Sequence, residues 1–128
     1  MKFTIPIVEK VSANKIYSGV HWAVRKKIAD KYHEAIRILM TRTSRQFGRS
    51  AAIYELFSKL HVPKDIIFTF YFKNRPLDCS NCFFLAKVCE DGMVKAGILT
   101  DDSPKYVKSI TCISKVDREN PRIEIELK

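Results

Sequence analysis

The residues with the spacing to do chemistry fall between Arg75 and Lys105, in the run RPLDCSNCFFLAKVCEDGMVKAGILTDDSPK. Asp78 precedes Ser80 and Asn81, Lys87 and Asp91 are one helical turn apart, and Asp101 and Asp102 follow. Carboxylates at both ends of a strand–helix–loop unit can converge in space. A convergence of this kind suits Mg²⁺, which takes hard oxygen ligands and is held by one or two carboxylates completed by waters and phosphate oxygens. An ion so placed activates water and stabilises both oxygens of an in-line phosphodiester displacement. A neighbouring lysine neutralises charge that builds on the phosphate. The plainer reading is that Asp78 caps a helix and that Asp-Asp-Ser-Pro is an ordinary turn.

Two further residue sets have chemical potential. Cys79-x-x-Cys82, with Cys89 and Cys112, offers thiols. A structural zinc site wants four ligands, usually as two close pairs, and only one pair exists here. His21, His33 and His61 lie outside any ligand spacing with it. The cysteines therefore read as buried apolar groups, with no zinc expected. Between Arg25 and Arg49 stand eight basic and two acidic residues. Arg25, Lys26, Lys27, Arg42, Arg45 and Arg49 are phosphate-contact candidates, giving salt-dependent affinity without base readout. Tyr17 is a further contact candidate. Trp22 reads as a core or interface anchor in preference to a base-stacking residue, and Phe68, Phe70 and Phe72 read as core.

The elements that must carry these residues follow from periodicity. A strand is expected over 3–8, at a sheet edge or bent because of Pro6, then a polar loop over 12–18. Trp22 to Met40 reads as a long helix burying Val24, Ile28, Tyr32, Ala35, Ile36 and Leu39. Thr41 to Arg49 lacks periodicity and reads as a mobile basic loop. Ser50 is the expected N-cap of a short helix over 51–60. Ile66 to Lys73 is the strongest strand, apolar on both faces and so central in its sheet. A second long helix spans Asn81 to Lys95, with Gly97 near its C-cap. Strands over Tyr106–Ser114 and Arg122–Lys128 follow, the last half-buried. This order predicts an α+β fold: one mixed sheet with two long helices and one short helix packed on it, in a single domain over residues 1–128.

The chain has 128 residues, the size of one domain. Composition is 46% hydrophobic and 29% charged, that of a globular protein. Residues 1–65 carry thirteen basic and five acidic groups, and residues 66–128 carry ten and nine. That polarity points to a polyanion, nucleic acid ahead of an anionic membrane. No run of about 18 apolar residues is present, which argues against a membrane span. The first residues lack the apolar region of a signal peptide, so a cytoplasmic protein with reduced thiols is expected.

The pattern D-x-S-N…K…E-D-G…G-I-L-x-D-D-S resembles the core motif of RusA-family Holliday junction resolvases, as N-K-I-Y-S-G-V-H-W…R-K-K resembles that family's opening stretch. The resemblance runs from about Asn14 to Val107, with Arg42 to Leu60 the least matched part. It implies a homodimeric, metal-dependent endonuclease, phage or bacterial, that resolves four-way DNA junctions by two symmetric nicks in recombination and repair. It implies Mg²⁺, or Mn²⁺, as cofactor. Asp78 matches the first aspartate of the family's D-x-D-N and Asn81 its asparagine. Asp101 and Asp102 match the acidic pair, and Lys87 resembles the catalytic lysine. Lys87 lies further from Asn81 than in the common D-N-x-x-K spacing, while Asp91 fits the family's K-x-x-x-D. Ser80 replaces the second motif aspartate. A hydroxyl can coordinate Mg²⁺ but brings no charge, so the site holds metal more weakly, recruits Asp101 and Asp102 together, uses Asp91, or is inactive. The DNA-contact set is Asn14, Lys15, Tyr17, Arg25, Lys26, Lys27, Arg42, Arg45, Arg49, Lys73 and Arg75. The acidic strand Arg122 to Lys128 is expected to face away from DNA. The competing readings are a non-catalytic branched-DNA-binding protein, a zinc-stabilised interaction module and an RNA-binding protein.

Overall fold

A computed structural model describes residues 1–47 and 63–128, with side chains up to Arg42 in the first segment. The expected 51–60 helix, the Ser50 cap and Arg49 lie outside the described residues, as does the Arg45 side chain. In chain order the elements are β1 (Lys2–Pro6), α1 (Ala13–Tyr17), α2 (Trp22–Phe47), β2 (Lys64–Phe72), a 3₁₀ turn (Cys79–Cys82), α3 (Phe83–Lys95), β3 (Val107–Val116) and β4 (Arg122–Leu127). The four strands form one mixed sheet in the order β1-β4-β2-β3. β4 runs antiparallel to both β1 and β2, while β2 and β3 are parallel. The α+β class and the single mixed sheet thus stand as the sequence predicts. β2 is central, and β1, with its proline, is an edge strand.

Alternation sets which side of the sheet is dry. Ile66, Phe68, Phe70 and Phe72 of β2, Ile123, Ile125 and Leu127 of β4, and Ile5 of β1 point into the core. There they join Ile28, Tyr32 and Ile36 of α2 and Leu85, Cys89 and Met93 of α3. The opposite side of β2 (Ile67, Thr69, Tyr71) is only half-buried, so the strand is central without being covered on both faces. On that side Arg122 stacks 3.8 Å from the Tyr71 ring centroid, and Lys2 pairs with Glu124 at 2.7 Å.

Three expectations need correction. The polar stretch over 12–18 contains α1, a five-residue helix. The Ser12 side chain accepts the Lys15 N–H at its start, and Ala13 and Ile16 are buried beneath it. The basic stretch after Met40 is not a loop from Thr41, because α2 continues to Phe47. Backbone hydrogen bonding there outlasts the apolar periodicity that marked the helix. Finally, Val24 is 45% exposed and Trp22 66% exposed. α2 packs on α3 and β1, and its first turn overhangs them, so neither residue is a core anchor.

Gly92 fixes how closely α2 and α3 approach. A Cβ there would stand 2.8 Å from Cδ1 of fully buried Ile36 and 3.1 Å from the His33 ring. This contact sets α3, and the carboxylates it carries, against the rest of the molecule.

Candidate active site

The connection from β2 to β3 carries the candidate residues. Ser114 Oγ donates to the Leu77 carbonyl at 2.5 Å, tying the chain before the 3₁₀ turn to β3. Asp78 then begins the turn. Its carbonyl accepts the Asn81 N–H at 2.9 Å, but its exposed carboxylate makes no capping bond. Asn81 has a defined partner: its Oδ1 accepts the Asn14 backbone N–H at 3.0 Å. That bond seats α1 on the 3₁₀ turn and joins two segments 67 residues apart in sequence.

One to two turns further along α3, Lys87 Nζ lies 2.9 Å from Asp91 Oδ1, 3.1 Å from Glu90 Oε2 and 2.5 Å from Asp102 Oδ2. The i,i+3 and i,i+4 spacings explain the first two contacts. The third exists because the loop after α3 folds back along the helix, helped by Gly97 at φ 75° and by buried Ile98 and Leu99. Oxygens of Glu90, Asp91 and Asp102 all lie within 4.8 Å of one another.

The electrostatics are lopsided. Three carboxylates surround one ammonium, leaving two negative charges uncompensated when all are ionised. Partial burial pulls the Lys87 pKa down, but the hydrogen bonds to Asp102, Asp91 and Glu90 outweigh it and the net direction is up. The Lys87 hydrogen bond holds Asp102 below the usual carboxylate range. Glu90 is 3% exposed. Burial pushes its carboxyl up, Lys87 pulls it down, and repulsion from Asp102 and Asp91 adds to the rise.

The fold therefore brings Lys87, Asp91 and Asp102 together and adds Glu90, which the sequence reading did not single out. Its signal was the i,i+3 spacing from Lys87, overlooked because an acid on a helix normally faces water. Asp78, Ser80 and Asp101 are not members of the close carboxylate group. Asp78 and Asn81 stand at the N-terminal end of the same helical unit.

Of the basic candidates, Lys15, Arg25, Lys26, Lys27, Arg42, Lys73 and Arg75 are exposed. Lys26 is paired with Asp30 at 2.8 Å. Tyr17 is 69% exposed. Glu124 and Glu126 sit on the uncovered side of the sheet, opposite the helices.

The four cysteines are free. Cys82 and Cys89 are buried as expected, but Cys79 is exposed and Cys112 only half-buried, so the buried-thiol reading does not extend to them. Burial pushes the Cys82 thiol up to about 11 and the Cys112 thiol up to about 12. Thiols so raised are poor nucleophiles at neutral pH.

No family model matches the chain, and no curated protein matches it significantly. Among the described residues no helix is long and apolar enough to cross a membrane.

Proposed function

We propose that this chain is a metal-dependent endonuclease of the RusA type that acts on branched DNA, with the four-way junction as its preferred substrate. The observation that carries the reading is the Lys87–Asp102 contact, which joins the helix half of the sequence pattern to its loop half. The Asn14–Asn81 bond does the same for the opening stretch and the 3₁₀ turn. Two remote pieces of one motif meeting in space is what a shared site requires.

The donor set fits Mg²⁺ in kind: Glu90, Asp91 and Asp102 offer hard oxygens within 4.8 Å of one another, with surplus negative charge. Mg²⁺ bound there supplies Lewis acidity, activating water and neutralising the scissile phosphate. In this reading Asp91 and Asp102 would hold the ion, with Asp101 adjoining Asp102 in sequence, and Asp78 and Ser80 stand at the N-terminal end of the same helical unit. Lys87 is half-exposed on a flexible stem, so its ammonium can leave the carboxylates and meet the phosphate as charge develops. Glu90, dry and raised in pKa, holds Lys87 from the protein side. Lys15, Lys73 and Arg75 flank the Asp78 end and grip the backbone. A twofold dimer offers one site to each of the junction's two equivalent strands.

A binding-only protein is favoured by one observation, the position of Lys87 Nζ among the acids, where it already neutralises part of their charge. The test is cleavage of a synthetic four-way junction in Mg²⁺. The wild type is expected to give paired symmetric nicks. Asp102→Asn and Asp78→Asn should each lower the rate by about 100-fold or more while binding stays intact or tightens, because each removes a charge near phosphate. Glu126→Gln, on the far face, should cut normally. Full activity in Asp102→Asn sinks the site, and Mg²⁺-independent binding without any nicking selects the binding-only protein.

A further inference from the structure

Three large apolar aromatic side chains among the described residues are exposed: Tyr17, Trp22 and Phe83. Tyr17 ends α1, Trp22 begins α2, and the turn between them passes through Gly19 at φ 114°. The His21 and Trp22 rings lie 5.6 Å apart and tilted by 34°. The turn is not a loose appendage. α1 is pinned by the Ser12 cap, by buried Ala13 and Ile16, and by the Asn14–Asn81 bond. An indole left 66% in water on so firmly held a turn represents unspent apolar area.

The charge around it identifies what covers it. From Lys10 to Ala29 there are five basic residues, of which Lys10 is held at the Arg75 carbonyl and Lys26 by Asp30, leaving Lys15, Arg25 and Lys27. Lys15 and Lys27 have no acidic partner among the described residues. Arg25 donates through Nε to the Val20 carbonyl at 3.2 Å, holding its guanidinium beside the turn. A second copy applied through the same patch would set these cations against themselves, as an isologous interface requires. A nucleotide strand satisfies both halves of the surface: phosphates meet the cations, and a base stacks on the ring.

We infer that Trp22, with the His21 ring beside it, is a stacking platform for an unpaired nucleobase of the DNA strand. The inference deepens the DNA-directed reading of the preceding section and rests on it. It gives the protein a preference for frayed or branch-point nucleotides that phosphate contacts alone cannot supply, since a fully paired duplex shields its base faces.

The chain has a single tryptophan, so indole emission, excited at wavelengths where its tyrosines do not absorb, reports on this position alone. The full-length protein would be titrated, in EDTA, with a short oligothymidylate and with a closed-end duplex, following Trp emission and the anisotropy of a labelled strand together. The oligothymidylate is expected to quench the emission and the duplex to leave it unchanged. Trp22→Ala should weaken oligothymidylate binding by about tenfold or more while changing duplex affinity by less than about twofold, and Trp22→Phe should recover most of the loss. Binding seen by anisotropy with unaltered emission and equal affinity in Trp22→Ala overturns the platform and leaves the nuclease reading standing. Quenching in a protein that never nicks a junction does the reverse. If Trp22→Ala instead converts a dimer to a monomer without changing oligothymidylate affinity, the ring is a subunit contact and the platform is overturned.

Discussion

Glu90 shows how a single buried carboxylate can shape a site it was not expected to join. Its carboxyl is raised by burial, so the folded protein holds that proton more tightly than the unfolded chain does. Stability must therefore fall as pH rises from the ordinary carboxyl value toward the raised one. Asp102 has the opposite sign. Its lowered value gives stability that is present above the ordinary carboxyl range and is lost as pH falls through the depressed value. Glu90→Gln removes the first effect and leaves Lys87 its bonds to Asp91 and Asp102. Thermal melts in metal-free buffer should show Glu90→Gln more stable than wild type at about pH 7 and equal to it near pH 4. A variant less stable at neutral pH would show that the Lys87–Glu90 attraction outweighs the cost of burial. At this scale the sequence was partly legible. The Lys87–Asp91 pair follows from helical spacing alone. The Asp102 contact depends on where a loop returns, which no local pattern encodes, and the core half of the Trp22 reading failed because a large aromatic side chain is on average well buried.

Helix α3 holds its candidate side chains in place through its neighbours. Gly92, the glycine of E-D-G, lies where α2 and α3 come nearest. Gly92→Val should force Ile36 and His33 aside and cost about 1–3 kcal/mol by denaturant unfolding. It should also lower junction cleavage by displacing Asp91 and Glu90. Tyr32 locks α2 to the start of the chain, its hydroxyl donating to the Glu9 carbonyl at 2.6 Å from a fully buried position. Tyr32→Phe should cost about 1–2 kcal/mol by the same measurement. Strands were the most readable elements: Ile123–Leu127 alternates as a half-buried strand does, and Ile66–Phe72 was legible as a central strand from its apolar, β-branched and aromatic run, although its second face proved only half-buried. α1 escaped because five residues are too few to show a period, and its existence depends on the Ser12 cap and on burial of Ile16. The end of α2 escaped because its last turns carry polar residues that a helix tolerates without a stripe.

Among the described residues, exposed basic groups stand on α1 (Lys15), at the start of α2 (Arg25, Lys26, Lys27) and on the turn after β2 (Lys73, Arg75), while the bare side of the sheet is mixed, with Lys2 and Arg122 paired to Glu124. DNA affinity should fall linearly on a log–log plot against salt, and Lys27→Ala should reduce the slope by about one. An unchanged slope would place the DNA on another face. The β2–β3 connection adds a kinetic consequence. β2 and β3 are parallel, and β1 pairs with β4 across nearly the whole sequence, Lys2 opposite Glu126. Such distant partners meet late, after a costly closure of long loops. Every acidic candidate lies inside the β2–β3 crossover. During refolding from denaturant, helical signal should return first and cleavage competence only with the slowest, sheet-closing phase. On the nuclease proposal, a chain still assembling its sheet would be without a working blade.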